Sequence, residues 1–385
     1  MLFAAIGSLA WGTYIDKHRK KHVMVVSSTF TLIAYALAGI IYLLFPTEAL
    51  TSWQSGMFWL FIAVVLAGGV VENMRNIALS TVVTILVDKD KRDKANGAVG
   101  AVQGVGFLVT SVFSGLAIGF LGMGWAIGIA VFFTAVALLH LLFVRIDEPE
   151  IVHDPELANK RVDIKGALAA IRVVPGLIWL IIFTTFNNLV GGVYIALMDP
   201  YGLTLFSVQM WGIIFGITSI GYIIGGLIIA KRGLGKSPLR AMLLANIIVG
   251  LVGAVFTIRE LWLLYTIGIF IYMAIMPIIE AAEQTIIQRV VPLAKQGRVF
   301  GFAYAFEIAA APISAFLIGP IAEFFIIPYM NTAEGQQSFE WLLGTGDARG
   351  IALVFVCAGL IMCAAVLVAF KTRAYRILSK AYQKA

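Results

Sequence analysis

Charged side chains are the scarcest class in this 385-residue chain: Asp, Glu, Lys and Arg together make up 13%, while hydrophobic residues make up 61%. Soluble domains carry roughly a quarter charged residues, so a soluble globule, which has to cover its surface with polar groups, is excluded. Cysteine is nearly absent. Cys357 and Cys363 lie six residues apart in one apolar run, on different faces of a helix, and read as small apolar fillers, neither a disulfide nor a metal site. The four histidines, His18, His22, His140 and His153, are scattered without ligand spacing, so no metal and no cofactor is expected. Glycine-rich runs such as Gly344-Thr345-Gly346 lack the Lys-Ser/Thr ending of a phosphate-binding loop, which argues against direct nucleotide coupling.

What the chain has instead is apolar runs of about 20 residues, each long enough to cross a hydrocarbon layer roughly 30 Å thick as a helix. Lipid offers no partner to backbone N–H and C=O groups, so spans have to be helices or a closed barrel. The runs are continuous and not alternating, which selects helices. The expectation is an all-α polytopic membrane protein with eleven helices, near 1–15, 23–45, 57–86, 97–120, 125–145, 176–198, 208–230, 239–257, 261–288, 299–326 and 350–370. All but three of the 28 lysines and arginines fall in 16–22, 88–96, 145–175, 231–240, 289–298 and 371–385; Arg259 and Arg349 stand in other connections and Arg75 inside a span. The positive-inside rule makes the rich set cytoplasmic. The same placement separates the net charge of +7 from a nucleic-acid footprint, because these charges punctuate spans and do not cover one face.

The first run reaches only roughly 21 Å at about 1.5 Å per residue, short of a full crossing. It reads as the inner part of a longer helix; a signal peptide would carry its positive cluster before the apolar run, and here the cluster follows. The longest basic connection divides the chain into an N-terminal bundle, 1–145, a cytoplasmic linker, 146–175, with an amphipathic stretch at 162–173, and a C-terminal bundle, 176–385, ending in a short basic tail. The halves echo each other. A glycine-containing helix end followed by a basic loop occurs at Gly12–Lys21 and again at Gly225–Lys236; a polar loop opening a small-residue helix occurs at Lys94–Gly119 and at Gln296–Gly319. Parallel repeats of six spans are a transporter architecture.

The stretch Gly12-Thr13-Tyr14-Ile15-Asp16-Lys17-His18-Arg19-Lys20-Lys21 resembles the signature loop of the major facilitator superfamily, G-x-x-x-D-[RK]-x-G-[RK]-[RK], with Arg19 where the pattern has glycine. Further along, Ile287-Gln288-Arg289-Val290-Val291-Pro292, then Gly297-Arg298-Val299-Phe300-Gly301, with Pro312 and Gly319-Pro320, is similar to the drug-proton antiporter branch that includes macrolide and enterobactin exporters. The fifth-helix antiporter pattern G-x-x-x-G-P-x-x-G-G is matched by Gly104, Gly106, Gly115 and Gly119 without its proline. The resemblance implies the major facilitator fold of two six-helix bundles, eleven of whose spans are present. Because the signature loop follows the second helix in that family, it also implies that the first is missing here. It implies, finally, that Asp16 bridges helices in the outward-facing state while the basic residues contact nearby carboxylates. Gly12, Asp16, Lys17, Arg19, Lys20 and Lys21 then form a gating loop, not a substrate site. Asp16 ends a helix, where a carboxylate is disfavoured unless a neighbouring helix N-terminus or an arginine receives it.

Ionisable groups inside spans are costly and are functional candidates by default. Glu72 and Arg75 stand one turn apart and can pair on one face, either as a self-neutralised structural pair or as a cavity pair in which Arg75 competes with a proton for Glu72. Glu280 and Glu283, also three apart, continue into a polar stripe through Gln284 and Gln288; two carboxylates this close in hydrocarbon cannot both ionise cheaply, as a proton carrier requires. The bland reading is a polar path near the inner end. Glu307 in the next helix joins them as a carrier candidate or is a buried hydrogen-bonding group. Asn187 and Asn188, close to Gly191-Gly192, point about 100° apart and are substrate contacts or interhelical hydrogen bonds. Phe186, with Trp59, Trp179 and Trp211, would line an amphipathic cavity, although tryptophans near span ends also serve as interfacial anchors.

These readings describe a secondary active transporter of the cell membrane that exports an amphipathic small molecule in exchange for protons, by alternating access around a site between its halves. It would act as a monomer, with linker and C-terminus cytoplasmic. A lysophospholipid or lipid-like flippase of the same fold is the alternative. A membrane enzyme would need a nucleophile or metal constellation, and no such cluster of His, Cys or Asp is legible; nor is the filter or pore ring of a channel.

Overall fold

The computed structural model describes residues 2–116, 122–148, 160–346 and 348–385. Within them the chain forms sixteen α-helices and no strand: α1 Leu2–Lys17, α2 Lys20–Leu44, α3 Thr47–Thr51, α4 Gly56–Leu86, α5 Arg92–Leu116, α6 Met123–Phe143, α7 Ile164–Val173, α8 Leu177–Leu205, α9 Val208–Arg232, α10 Pro238–Val255, α11 Trp262–Val290, α12 Leu293–Ile321, α13 Ile327–Met330, α14 Ala333–Leu343, α15 Arg349–Lys371 and α16 Arg373–Lys384. Ten of these stretches are long and apolar enough to cross a membrane, with α12 running on to Met330 as one; α1, at 16 residues, is the short first segment expected. Gly119, His153 and residues 149–159 of the linker lie outside the described residues.

Local chemistry sets the ends. Ser55, Ser207, Ser237 and Thr372 accept from amides in the first turns of α4, α9, α10 and α16, as N-caps do, and Pro238 takes the first position of α10, where its missing N–H costs nothing. Gly233, at φ +74°, closes α9. Several ends differ from expectation. The helices expected from 97 and 299 begin at Arg92 and Leu293, because the Lys, Arg and Gln there are good helix formers although not apolar. The one expected to stop at 198 runs through Pro200 to Leu205, with the Tyr265 hydroxyl donating to the Met198 carbonyl at 2.6 Å. After Pro320 the chain passes through a π-helical turn, Ala322–Ile326, the usual response to a lost backbone donor. The short basic tail forms α16.

Two compact units result. One contains Met1–Asp88, Phe113–Ala170 and Val291–Ala305; in it α2 packs on α4 and α6, and α1 on α4. The other contains Lys89–Val112, Ile171–Val290 and Phe306–Ala385, built on the contacts of α11 with α9 and α10 and of α15 with α10 and α8. At its core Tyr201, Tyr265 and Phe355 are fully buried. Arg349, counted from sequence as a loop cation, is 2% exposed and holds the Tyr201 hydroxyl at 2.9 Å, the Leu343 carbonyl at 2.9 Å and Glu260 at 3.0 Å.

Helix association in lipid rests on close packing of small residues, and α5 meets α9 in this way. A Cβ on Gly97 would come 2.7 Å from the Ala230 nitrogen, one on Gly104 2.7 Å from the Ile223 nitrogen, and one on Gly226 2.3 Å from the Ala101 nitrogen. Gly106, its neighbour in the antiporter pattern, faces open space. Gly97→Val or Gly226→Val is therefore expected to lower stability by about 1–3 kcal/mol through overpacking, read as a drop in thermal midpoint of the purified protein. Gly106→Ala should leave that midpoint unchanged or raise it.

Candidate functional site

Three carboxyls converge in the second unit. Glu280 and Glu283 stand one turn apart on α11, and α12 brings Glu307 within hydrogen-bonding reach of Glu283. The Tyr222 hydroxyl of α9 donates to Glu280 Oε2 at 2.6 Å, and the Thr184 hydroxyl of α8 to Glu307 Oε1 at 2.8 Å. Glycines permit these approaches: Gly221 and Gly225, on either side of Tyr222, lie against the Phe270 and Ala274 carbonyls of α11, and Gly192 of α8 lies against Ala311 and Ser314 of α12. All three carboxyls are half-buried; among the described residues the charge of Glu307 bears on both Glu280 and Glu283, and that of Glu280 bears on Glu283.

Farther along α11 the polar stripe becomes a lock. Asn96 of α5 donates to Thr285 Oγ1 at 2.9 Å and to Gln288 Oε1 at 2.8 Å, and Arg92 reaches the Gln288 carbonyl at 2.7 Å. Gln284, half-buried, lies between this lock and the carboxyls along the helix. Asn187 is 9% exposed; Asn188 is half-buried and donates to the carbonyl of Thr184 in its own helix at 3.0 Å, not across helices. Phe186 lines an apolar groove together with Trp179, Met242 and Val368, and shares no pocket with the carboxyls. Trp59 and Trp179 are mostly exposed, whereas Trp211 is buried and donates to Asp199 at 2.9 Å. In the first unit Glu72 and Arg75 pair on one helix face at 2.5 Å, with Tyr35 of α2 beside them.

The first unit also holds a buried charge knot around Asp16. Its carboxylate accepts from the amides of Gly297 at 2.7 Å and Arg298 at 3.1 Å, and from Arg298 Nε at 3.0 Å. A helix near its start and an arginine thus both receive the carboxylate, as its place at the negative end of α1 demands. The guanidinium is shared: Arg298 Nη1 reaches Asp163 at 2.8 Å. Asp163 also accepts from Lys160 at 3.0 Å and the Gly166 amide at 3.1 Å, while its own amide donates to Thr13. Burial alone would raise the Asp163 carboxyl, but these hydrogen bonds outweigh it and hold the group below its ordinary value. Gly12 packs on the backbone of Gly297 and Arg298. Lys17 donates to the Lys160 carbonyl, and Lys20 to those of Ile15 and His18. The amides of Lys20 and Lys21 are both taken by Glu148, at 2.6 and 2.7 Å, and Lys21 Nζ reaches the Leu142 carbonyl. Arg19 precedes α2 at φ −60°, ψ 133°, a conformation open to any residue. The glycine of the pattern is not needed there.

Sequence reasoning missed the partners Tyr222, Thr184, Asn96, Asp163 and Glu148. Each is polar and placed next to a candidate only through a contact remote in sequence. Arg298 carried a signal, standing in a quoted motif directly after Gly297.

The family model described as Major Facilitator Superfamily matches residues 1–315. Among curated proteins, the Enterobactin exporter EntS of Shigella flexneri is 23% identical over 317 residues, covering 82% of this chain and 72% of that protein. Among solved structures, the human organic anion transporter MFSD10 (TETRAN) superposes with a TM-score of 0.65 at 15% identity, covering 95% of this chain and 81% of its own. The proton:xylose symporter XylE does so with a TM-score of 0.63 at 14% identity, covering 95% and 84%. At such identities the structural likenesses speak for the fold.

Removing Arg298 takes from two buried carboxylates the guanidinium they share. Arg298→Ala is expected to destabilise the protein by about 3–5 kcal/mol, and Asp16→Asn added to it should cost less than the sum of the two single changes, measured as a thermal-unfolding cycle. The part due to Asp163 is present in full above the ordinary carboxylate value of 3.8 and is lost as the pH falls through its lowered folded-state value, so wild type and Asp163→Asn should converge in strong acid.

Proposed function

Because the chain belongs to the Major Facilitator Superfamily, we propose that this multi-pass membrane transporter is a proton-coupled exporter of an amphipathic small molecule, in which Glu280, Glu283 and Glu307 exchange protons for cargo. The observation that supports this reading is the convergence of three half-buried carboxyls on hydroxyl donors, with Glu307 close enough for its charge to bear on Glu280 and Glu283. Two carboxyls in contact where water is scarce cannot both ionise without cost, and the excess charge is relieved by a proton or by a cationic cargo. A group that either can relieve exchanges one for the other, which is antiport. Tyr222 and Thr184 keep Glu280 and Glu307 oriented through the exchange, and Gln284, Asn187 and Asn188 serve as polar contacts for the cargo. Glu72 is the weaker carrier, since Arg75 neutralises it on its own helix.

The outward direction is taken over from relatives named as exporters of enterobactin; the cargo is not. The bonds of Asp16 to Gly297 and Arg298 are the latch of an alternating-access cycle, made in one state and broken in the other. The protein works as a monomer in the cell membrane, with the basic loops, central linker and C-terminus on the cytoplasmic side.

The test is transport by the purified protein in liposomes, with an imposed proton gradient and a fluorescent amphipathic cation as cargo. Gradient-driven movement is expected, falling to the protein-free background in Glu283→Gln and Glu307→Gln. Movement that ignores the gradient, or that survives both substitutions, sinks the carrier assignment; gradient-independent movement of a fluorescent lysophospholipid would favour a flippase.

A further inference from the structure

A cavity of about 580 Å³ opens on the second unit and shares no residue with the carboxyl cluster. Its walls are the start of α8, the start of α10, the end of α15 and the start of α16, with Trp179, Phe183, Phe186, Met242 and Val368 giving it an apolar surface. Along α8 it reaches from Gly176 to Phe186, about 15 Å at the helical rise. Arg373, exposed in the first turn of α16, is the one charged residue lining it, and among the described residues its guanidinium has no ion pair or hydrogen bond. Each of the other walls ends in a further exposed cation: Arg172 just before α8, Arg240 in the first turn of α10 and Lys371 at the end of α15. No Asp or Glu occurs in 164–176, 231–240 or 371–385; the carboxylates that meet these segments, Asp163 at Gly166 and Asp90 and Asp93 beside Leu234, Lys236 and Tyr382, form no ion pair with any of the four rim cations among the described residues, so the rim carries charge of one sign.

An apolar trough with a positive, unpaired rim at the basic end of the spans complements a molecule with a long hydrocarbon tail and an anionic head. We infer that this groove binds an anionic phospholipid, with one acyl chain against Trp179, Phe183, Phe186 and Met242 and the phosphate at Arg373. Basic residues at such a boundary attract acidic lipid head groups, and α16, a basic amphipathic helix, lies along the same surface. A zwitterionic lipid fills the trough equally well but brings its own cation to the rim, which removes the electrostatic gain.

The experiment uses delipidated protein in detergent, titrated with phosphatidylglycerol or phosphatidylcholine of identical, brominated acyl chains, with tryptophan quenching as the readout. Phosphatidylglycerol should bind more tightly and quench a component that disappears in Trp179→Phe. Arg373→Gln should weaken its binding about five-fold, leave phosphatidylcholine unaffected and leave the helical content unchanged by circular dichroism. Lys384→Gln, at the far end of α16, is the control expected to change neither. Equal affinity for the two lipids marks the groove as ordinary lipid contact, quenching indifferent to Trp179→Phe places the lipid elsewhere, and displacement of the lipid by a transported cation marks a cargo site; each of these overturns the inference.

Discussion

In hydrocarbon a backbone amide, a carbonyl or an ionised side chain has no water to fall back on, so every one of them needs a partner within the protein. The helices satisfy the backbone, several hydroxyls and amides bond to carbonyls of their own helix, and the charged side chains are gathered into a few sites. The Asp16 knot is the fullest case. One guanidinium holds two carboxylates, and two backbone amides, a lysine and a third amide complete their shells. Without Arg298 this end of α1 would set a carboxylate against the negative pole of its own helix with only Lys20 as countercharge, and α1 would lose its ion pair to α12.

The same constraint explains why small residues and polar contacts occur together. A hydrogen bond across helices needs the axes close, and closeness needs glycine or alanine at the crossing. Gly12 and Gly297 bring the amides of α12 to Asp16; Gly221 and Gly225 bring Tyr222 to Glu280; Gly100, against Pro277 of α11, lies one turn from Asn96, whose amide joins α5 to α11. Each polar contact is thus a property of two positions, the donor and the residue that lets it approach.

That pairing also marks where the sequence was legible. Continuous apolar runs and the basic loops between them disclosed the helices, since both are local patterns, and the amphipathic 162–173 stretch duly appears as α7. The demand that Asp16 be met by a helix start or an arginine came from elementary electrostatics and is met by both. What stayed hidden was register between remote segments. Nothing near Glu280 announces Tyr222, and nothing near Asp16 announces Asp163; Arg349 read as a loop cation because burial is a tertiary fact. The surroundings of Phe186 were hidden for a related reason. Phe186 is adjacent in sequence to Asn187, but neighbours on a helix face different directions, and one turned to an apolar groove while the other was buried.

Two arrangements of acidic residues within spans now stand side by side, and the difference between them bears on coupling. Glu72 has a cation bonded to it on its own helix, so its charge is compensated whatever else binds, and a proton arriving there has to displace an ion pair. Glu280, Glu283 and Glu307 have hydroxyls and one another. A hydroxyl orients a carboxylate without cancelling its charge, and a carboxyl neighbour adds to the charge to be cancelled. A carrier has to be neutralised by something that can leave, and only the second arrangement keeps that place open for a proton or a cationic cargo. On the proposed reading, the fixed ion pairs of the first unit supply structure and the latch, while the uncompensated carboxyls of the second supply the exchange.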